Sequence, residues 1–320
     1  MIKKDKYNVC LIGALAQISP LHVEGIKSIS QFNLCAVCDS DRKKLREIYP
    51  QLPENSLFTD YRQAIQFEDI DIVIITAPNK LHAIIAIEAL RNEKIVLCEK
   101  PMTHSMESAK LLFDEVKSNS GFFCVSYHFR FRPEVQKFVE IRDSFGIIKS
   151  FHFVSSEDLE TEKTWILDKT QGGPWLDWAS NALSVLRPVL SANDSIKNYS
   201  IKEVKYVHSN DYEIELKADI DLTINNIEGN ISVDWLSPKG CFNAKTELVN
   251  ELGDVIVLNH DTCQILLNGE LYWTGKNRSY IAVYEDFLSR LNSRNTNIHI
   301  GMQDAQIIQA VRNFNNSFSI

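Results

Sequence analysis

A chain of 320 residues is longer than a single average core requires, so two domains are expected. A net charge of −8, without a cluster of Lys and Arg interleaved with aromatics, argues against nucleic acid as a partner. No apolar run approaches the ~18 residues of a membrane helix. The seven cysteines are an odd number scattered through apolar segments, which indicates buried thiols in a reducing compartment, so we expect a cytoplasmic protein.

The first part of the chain alternates strand and helix patterns. Short all-apolar runs are typical of strands covered on both faces, and segments with helical spacing separate them. The predicted strands are Val9–Ile12, Leu34–Cys38, Ile72–Ile75, Ile95–Cys98 and Phe122–Val125. The predicted helices are Leu21–Ile29, Arg42–Ile48, Leu81–Leu90 and Met106–Val116. This alternation predicts a doubly wound parallel sheet, the Rossmann arrangement, over residues 1–125.

The opening segment allows a second interpretation. Lys3, Lys4 and Lys6 precede the apolar run Val9–Ala16, as in a secretory signal peptide. The run is short for such a peptide, and cleavage would remove the first predicted strand. We therefore expect a buried strand here.

After about residue 145, strand patterns dominate. The predicted strands are Ile148–Val154, Glu213–Ile224, Gly229–Trp235, Val255–Leu258 and Ile265–Trp273, the last interrupted by a two-residue hairpin turn at Asn268 and Gly269. Helical spacing follows over Tyr280–Leu291 and Met302–Phe314. Residues 126–320 are therefore expected to form an open, mixed or antiparallel sheet with helices on one face.

The turn after the first predicted strand carries part of a dinucleotide fingerprint. In the full pattern G-x-G-x-x-G/A, glycines let the backbone approach a pyrophosphate at a helix N-terminus. Here only Gly13 is present, because Leu15 and Ile18 hold the second and third positions. Asp39 ends the second strand, where a carboxylate can bind the ribose hydroxyls of NAD or cap the helix that begins near Arg42.

Further polar segments follow in a fixed order. Thr76–His82 and Glu99–Pro101 come after the third and fourth predicted strands, at the carboxyl ends where ligands of open α/β sheets bind. Tyr127–Pro133 and Gly172–Asn181 come later, and His22 stands nine residues after the first glycine. In order and spacing these segments resemble the glucose–fructose oxidoreductase and inositol dehydrogenase family, over nearly the whole chain.

The resemblance implies an NAD(P)-dependent oxidoreductase that acts on a sugar. NAD is the expected cofactor and NADP a possible one, because Arg42 and Lys43 lie close to Asp39 in the sequence. Relatives commonly pair through the outer face of the second sheet, so a homo-oligomer is expected. The cofactor-binding residues that the resemblance implies are Gly13, Gln17, Ile18, Asp39, Thr76, Pro78, Asn79, His82, Glu99 and Lys100.

The resemblance also implies three catalytic residues. Lys100 would lie beside the nicotinamide ribose and the reacting oxygen, where a cation stabilises developing alkoxide charge. Asp177 matches the family's active-site aspartate. Four residues later, on the same helix face, the family usually has a histidine, but this chain has Asn181, which cannot transfer a proton at neutral pH.

The stretch Asp177–Leu186 resembles one branch of the family, the L-arabinose and D-galactose 1-dehydrogenases, in which the asparagine is followed by Ala-Leu-Ser. That branch oxidises aldopyranoses at C1 to lactones. The implied substrate-binding residues are Lys100, His128, Glu157, Trp165, Asp177 and Asn181, although Trp165 could equally be a loop aromatic that covers the core.

Two other functions remain open at this point. The first is an enzyme that acts on a nucleotide-linked or amino sugar, since one fold supports both chemistries. The second is a non-catalytic sensor, favoured by the incomplete glycine loop and the missing histidine. A metal site is not expected: Cys35 and Cys38 are three apart on a predicted strand and face opposite sides, and no H-E-x-x-H occurs.

Overall fold

The computed structural model describes residues 4–67, 69–159 and 164–314. The chain forms two compact units. The first contains the described residues up to Ser126 together with Tyr280–Ala305, and the second contains Tyr127–Ser279 and the described residues from Gln306. No helix within these ranges is long and apolar enough to cross a membrane.

The first unit is built on a parallel six-stranded sheet. Its strands are β1 (Tyr7–Ile12), β2 (Phe32–Cys38), β3 (Leu57–Phe58), β4 (Ile72–Ile75), β5 (Ile95–Glu99) and β6 (Phe123–Ser126), in the order β3-β2-β1-β4-β5-β6. The helices between them are α1 (Ser19–Ser28), α2 (Arg42–Ile48), α3 (Tyr61–Gln66), α4 (Asn79–Arg91) and α5 (Met106–Ser118). Every residue of β4 and β5 is buried, as expected for strands covered on both faces. The predicted Rossmann sheet is confirmed, and β1 lies at its centre between β2 and β4.

The second unit contains a mixed eight-stranded sheet, which confirms the predicted architecture. Helices α6 (Pro133–Phe145) and α7 (Pro174–Leu190) belong to this unit. The strands are β7 (Ile148–Glu157), β8 (Tyr199–His208), β9 (Glu215–Ile224), β10 (Ile227–Asp234), β11 (Phe242–Asn250), β12 (Val255–Asn259), β13 (Gln264–Leu267) and β14 (Glu270–Thr274), in the order β14-β13-β12-β11-β7-β10-β9-β8. Only the β7–β10 pair is parallel among these strands. The β13–β14 turn at Asn268 and Gly269 has positive φ at both residues, as the predicted two-residue hairpin requires.

Two helices end the described chain, α8 (Ser279–Ser293) and α9 (Ile298–Phe314). Tyr280–Ala305 belongs to the first unit because its apolar and polar groups complete that unit's core. Phe287 contacts the rings of Phe32 and Phe122, with centroids 5.9 and 6.0 Å apart. Asn297 exchanges two hydrogen bonds with the backbone of Val125. The first division of the chain falls after Ser126, and helical spacing did not predict the later return of the chain to the first unit.

Candidate active site

The turn after β1 is held tightly against the end of β4. Gly13 has φ +88°, and a Cβ there would lie 2.6 Å from the carbonyl carbon of Thr76 and 2.7 Å from the amide nitrogen of Ala77, so no other residue fits. The hydroxyls of Thr76 and Ser19 both donate to the Gly13 carbonyl oxygen at 2.8 Å. Helix α1 begins at Ser19, with Ile18 as its N-cap. The strand–turn–helix geometry of a dinucleotide site is therefore present.

Asp39 anchors this turn. One of its carboxylate oxygens accepts the N–H of Leu15 at 2.9 Å, at the position where the fingerprint has its second glycine. The hydroxyl of Tyr49 donates to the Ala14 carbonyl at 2.9 Å, and burial raises the pKa of Tyr49 to about 12, which keeps that donor protonated. The alternative role of Asp39 as the cap of α2 is wrong, because Asp41 caps that helix.

His82 joins the turn after β4 to the turn after β5. Pro78 is the N-cap of α4, and Asn79, its first residue, is buried. The Nε2 atom of His82 lies 2.7 Å from the Ala77 carbonyl oxygen, and its Nδ1 atom lies 2.8 Å from the Pro101 carbonyl oxygen. Burial lowers the pKa of His82, and the two carbonyl contacts oppose that shift. The buried ring of His82 thus joins the two turns that carry implied cofactor residues.

Glu99 ends β5 and is 6% exposed. Its Oε1 atom accepts from His22 Nε2 at 2.9 Å and from the Tyr280 hydroxyl at 3.3 Å, and its Oε2 atom accepts from the Lys100 backbone N–H at 3.0 Å. The Nδ1 atom of His22 lies 2.8 Å from the Tyr284 hydroxyl. Sequence reasoning missed both tyrosines, since no motif links α8 to residue 99.

The start of α7 is fixed by a glycine and a buried acid. Gly173, its N-cap, has φ +92°, and a Cβ there would overlap the carboxylate of Glu215. Burial raises the pKa of Glu215, and its own backbone N–H, Arg312 and the Trp175 backbone oppose the shift. The helix that carries the predicted catalytic pair therefore begins at a defined point.

Asp177 and Asn181 lie on one face of α7, four residues apart. All the remaining residues of this helix are buried, so Asp177 is the one residue of the helix that reaches solvent. Asn181 is 3% exposed, and its Oδ1 atom has no hydrogen-bond partner within the part of the chain that the structure describes. A buried acceptor without a donor is costly, and a ligand hydroxyl can satisfy it.

Trp178 connects further candidate residues of the second unit. Its Nε1 atom donates to Glu157 Oε1 at 2.7 Å, and Trp235 Nε1 donates to the same oxygen at 2.9 Å. The ring of Phe242 stacks on Trp178 with centroids 5.7 Å apart and an angle of 28°, while 44% of Phe242 stays exposed. A fixed carboxylate thus lies beside an open aromatic face. Phe242 was missed because only its cross-strand pairing with Glu157 reveals it.

The other implied site residues occupy more ordinary positions. His128 is half-buried in a short 3₁₀ turn, and its ring contacts Phe129 edge-on. Trp165 packs on an apolar cluster that includes Trp235, so both of its interpretations stand. Gln17 is exposed just before the N-cap of α1.

A cavity of about 560 Å³ lies at the opposite edge of the first sheet. Its lining includes Tyr7 and Ile95, the first residues of β1 and β5. Open α/β sheets bind ligands at the carboxyl ends of their strands, so this cavity is not the cofactor cleft.

The chain is similar to known oxidoreductases in sequence and in fold. Residues 7–127 match the family described as "Oxidoreductase family, NAD-binding Rossmann fold". Over 96% of both chains the structure is similar to levoglucosan dehydrogenase in complex with NADH, with a TM-score of 0.80. At 18% sequence identity, that likeness shows the fold.

Particular relatives are similar in sequence. The chain is 26% identical over 184 residues to uncharacterized oxidoreductase YrbE of Bacillus subtilis, covering 57% of this chain and 53% of that protein. It is 32% identical over 148 residues to levoglucosan dehydrogenase of Pseudarthrobacter phenanthrenivorans, covering 41% and 37%. It is 23% identical over 266 residues to scyllo-inositol 2-dehydrogenase (NAD(+)) of Bacillus subtilis, covering 80% and 76%. The first two matches thus span about half of the relative or less.

Proposed function

We propose that this protein is an NAD-dependent dehydrogenase that oxidises an aldopyranose at C1 and releases a lactone. The observation that carries the proposal is Asn181, a buried amide on the same helix face as Asp177, at the position where the family usually has a proton-transferring histidine. An enzyme without that histidine favours the substrate whose oxidation needs it least.

The first unit supplies a fitting site for NAD. The N-terminus of α1 follows β1 directly, where helix N–H groups bind a pyrophosphate. Asp39, half-buried at the end of β2, is suited to the ribose hydroxyls and repels a 2′-phosphate, so NAD is preferred over NADP. The nicotinamide end is assigned to the turns at Thr76–Asn79 and at Lys100. When bound, NAD supplies the acceptor for the hydride.

Three side chains perform the rest of the reaction. Lys100 stabilises the negative charge that develops on the substrate oxygen. Asp177, the solvent-reaching residue of α7, removes the hydroxyl proton, and Asn181 orients the hydroxyl through its unpartnered oxygen. The C1 hydroxyl is more acidic than an ordinary secondary alcohol, and the ring oxygen supports positive charge as hydride leaves. A general base contributes about a hundredfold to ten-thousandfold, so C1 is the carbon at which a weaker base suffices.

The second unit supports a sugar as the substrate. A sugar ring has an apolar C–H face and polar hydroxyl edges. The exposed ring of Phe242 offers a surface for the first, and the carboxylate of Glu157 an acceptor for the second. The indoles of Trp178 and Trp235 hold that carboxylate in place, so it is pre-organised for hydroxyl donors.

A second candidate is oxidation of a ring carbon to a ketone. It is favoured by the similarity to scyllo-inositol 2-dehydrogenase (NAD(+)) over 80% of this chain, since inositols have no anomeric carbon. Under this reading Asp177 alone must act on a less acidic hydroxyl.

The test uses a panel of aldoses, inositols, levoglucosan and nucleotide-linked sugars with NAD and with NADP, followed by absorbance of the reduced nicotinamide. The best aldose is then deuterated at C1. Deuterium transfer to the cofactor and a lactone product support the proposal, and Asp177→Asn serves as the matched inactive control. A ketone product, or deuterium retained in the sugar, assigns the second candidate instead. Absence of turnover with the whole panel supports the sensor.

We also propose that copies of the chain pair through the outer face of the second sheet. On that face, alternate residues of β7 lie across from β11, with His152 opposite Glu247 and Val154 opposite Lys245. These side chains are half-buried and include apolar, acidic and basic groups, so a second copy can pair opposite charges across the interface.

A further inference from the structure

The proposed reaction leaves one buried charge without a role. Glu99 immediately precedes Lys100 and is 6% exposed. A buried carboxylate is costly unless hydrogen bonds satisfy it, and here donors from His22, Tyr280 and the Lys100 backbone reach both of its oxygens. Such an arrangement fixes the orientation of the carboxylate.

The hydrogen bonds of this network all run toward Glu99. With its proton on Nε2, the His22 ring donates to the carboxylate, and Nδ1 accepts from the Tyr284 hydroxyl. Burial, and then the charge of Glu99, raise the pKa of Tyr280 and of Tyr284 well above the usual value. Both tyrosines therefore remain protonated and can donate hydrogen bonds.

The packing around His22 fixes the position of its ring. The ring is fully buried and contacts Tyr280 and Tyr284 edge-on, with centroids 5.1 and 5.9 Å apart. Gly25 lies one turn further along α1, and a Cβ there would overlap the ring of Tyr284. A glycine weakens the interior of a helix relative to alanine, and this close approach explains its presence here.

We propose that His22 is a positioning residue for Lys100, which rests on the catalytic role of Lys100 in the proposed function. His22 holds Oε1 of Glu99, and Oε2 of the same carboxylate accepts the Lys100 N–H. The peptide from which the Lys100 side chain departs is thereby tied to α1, and through Tyr280 to α8. Without His22 the carboxylate loses a hydrogen bond that fixes its orientation, so the Lys100 peptide is held less firmly.

The test compares two substitutions of His22 in the full chain. His22→Gln keeps a donor for Glu99 and an acceptor for Tyr284, whereas His22→Leu keeps the bulk and removes both. The first readout is hydrogen exchange of the Lys100 amide in the substrate-free protein, which is well isolated because Pro101 has no amide hydrogen. The second is the set of kcat, KM for the sugar and Kd for NADH.

Exchange of the Lys100 amide is expected to accelerate at least tenfold in His22→Leu, with kcat at least tenfold lower and KM and Kd within threefold of wild type. His22→Gln is expected to stay within threefold of wild type in every readout. Unchanged exchange or unchanged kcat in His22→Leu overturns the proposal. So does a rise of KM and Kd that matches the fall in kcat, because this indicates general damage.

Two further results also bear on the proposal. If His22→Leu does not fold, Tyr280→Phe is tested instead, because it removes one donor from the same oxygen of Glu99. Amide exchange is then expected to be roughly threefold faster and kcat roughly threefold lower. The absence of these effects counts against the proposal. If the wild-type protein oxidises no sugar, the proposed function fails, and amide exchange alone decides whether His22 positions Lys100.

Discussion

Replacing Gly173 by alanine is expected to lower the free energy of unfolding of the second unit by about 3 kcal/mol. The backbone there has φ +92° and ψ +145°, a conformation that costs a residue with a side chain about 1–3 kcal/mol. The new Cβ also overlaps the Glu215 carboxylate and displaces this buried polar group, which costs about 1–2 kcal/mol more. A domain has only ~5–15 kcal/mol in total, so the loss is large.

Urea unfolding followed by tryptophan fluorescence measures this loss in the appropriate unit, because all five tryptophans lie between Trp165 and Trp273. Gly240→Ala is the matched control: its φ is +76°, and nothing lies within 4 Å of the added Cβ. This control isolates backbone strain, for which about 1–2 kcal/mol is expected.

The overlap itself is tested by combining Gly173→Ala with Glu215→Ala. Because the second substitution removes the obstructing carboxylate, the pair is expected to cost about 1 kcal/mol less than the sum of the single changes. If Gly173→Ala destabilises no more than Gly240→Ala, or if the double change is additive, the steric explanation is incorrect.

Four further substitutions address the cofactor, the substrate and the assembly. Asp39→Asn keeps an oxygen acceptor but removes the charge that repels a 2′-phosphate by about 1.4 kcal/mol. The ratio of kcat/KM for NAD to that for NADP should therefore fall about tenfold, and an unchanged ratio would show that Asp39 does not determine cofactor choice. Asn181→Ala should raise KM for the sugar about tenfold and leave kcat within threefold, as steady-state kinetics can check. Phe242→Ala should raise KM by about tenfold, whereas Tyr272→Ala, which removes another exposed aromatic, should not; equal effects would exclude a sugar platform. Val154→Arg should convert the oligomer to a monomer in light scattering, and a monomeric wild type would contradict the proposed pairing.

The parallel sheet was predictable because its strands are buried on both faces. Ile72–Ile75 and Ile95–Cys98 are all-apolar runs, and such runs need no alternation to be recognised. The second sheet was harder to predict from the sequence. Strand β8 has one buried residue, Val204, and the inward positions of β11 include Thr246 and Asn250, whose polar groups are satisfied inside the unit by His260 and by the backbone of residue 145. A polar residue facing inward breaks the pattern on which strand prediction depends.

The candidate site shows a similar division. Motif order predicted Lys100, Asp177 and Asn181 as site residues, since each stands at a fixed distance from recognisable neighbours. The same order could not show that Tyr280 and Tyr284 reach Glu99, because helical spacing reveals a buried face but not the core against which it packs. Groups that come from distant parts of the chain are visible only after folding.

The return of Tyr280–Ala305 to the first unit sets an order for folding during synthesis. The second unit has a continuous stretch, Tyr127–Ser279, that leaves the ribosome before α8 exists. Until α8 emerges, Phe32 and Phe122 lack the ring of Phe287, and Glu99 lacks a tyrosine donor. The first unit, although first in the sequence, is therefore completed only after the long stretch of the second unit has been synthesised. A ribosome that stalls before residue 280 leaves the core of the first unit uncovered and exposed to chaperones and proteases.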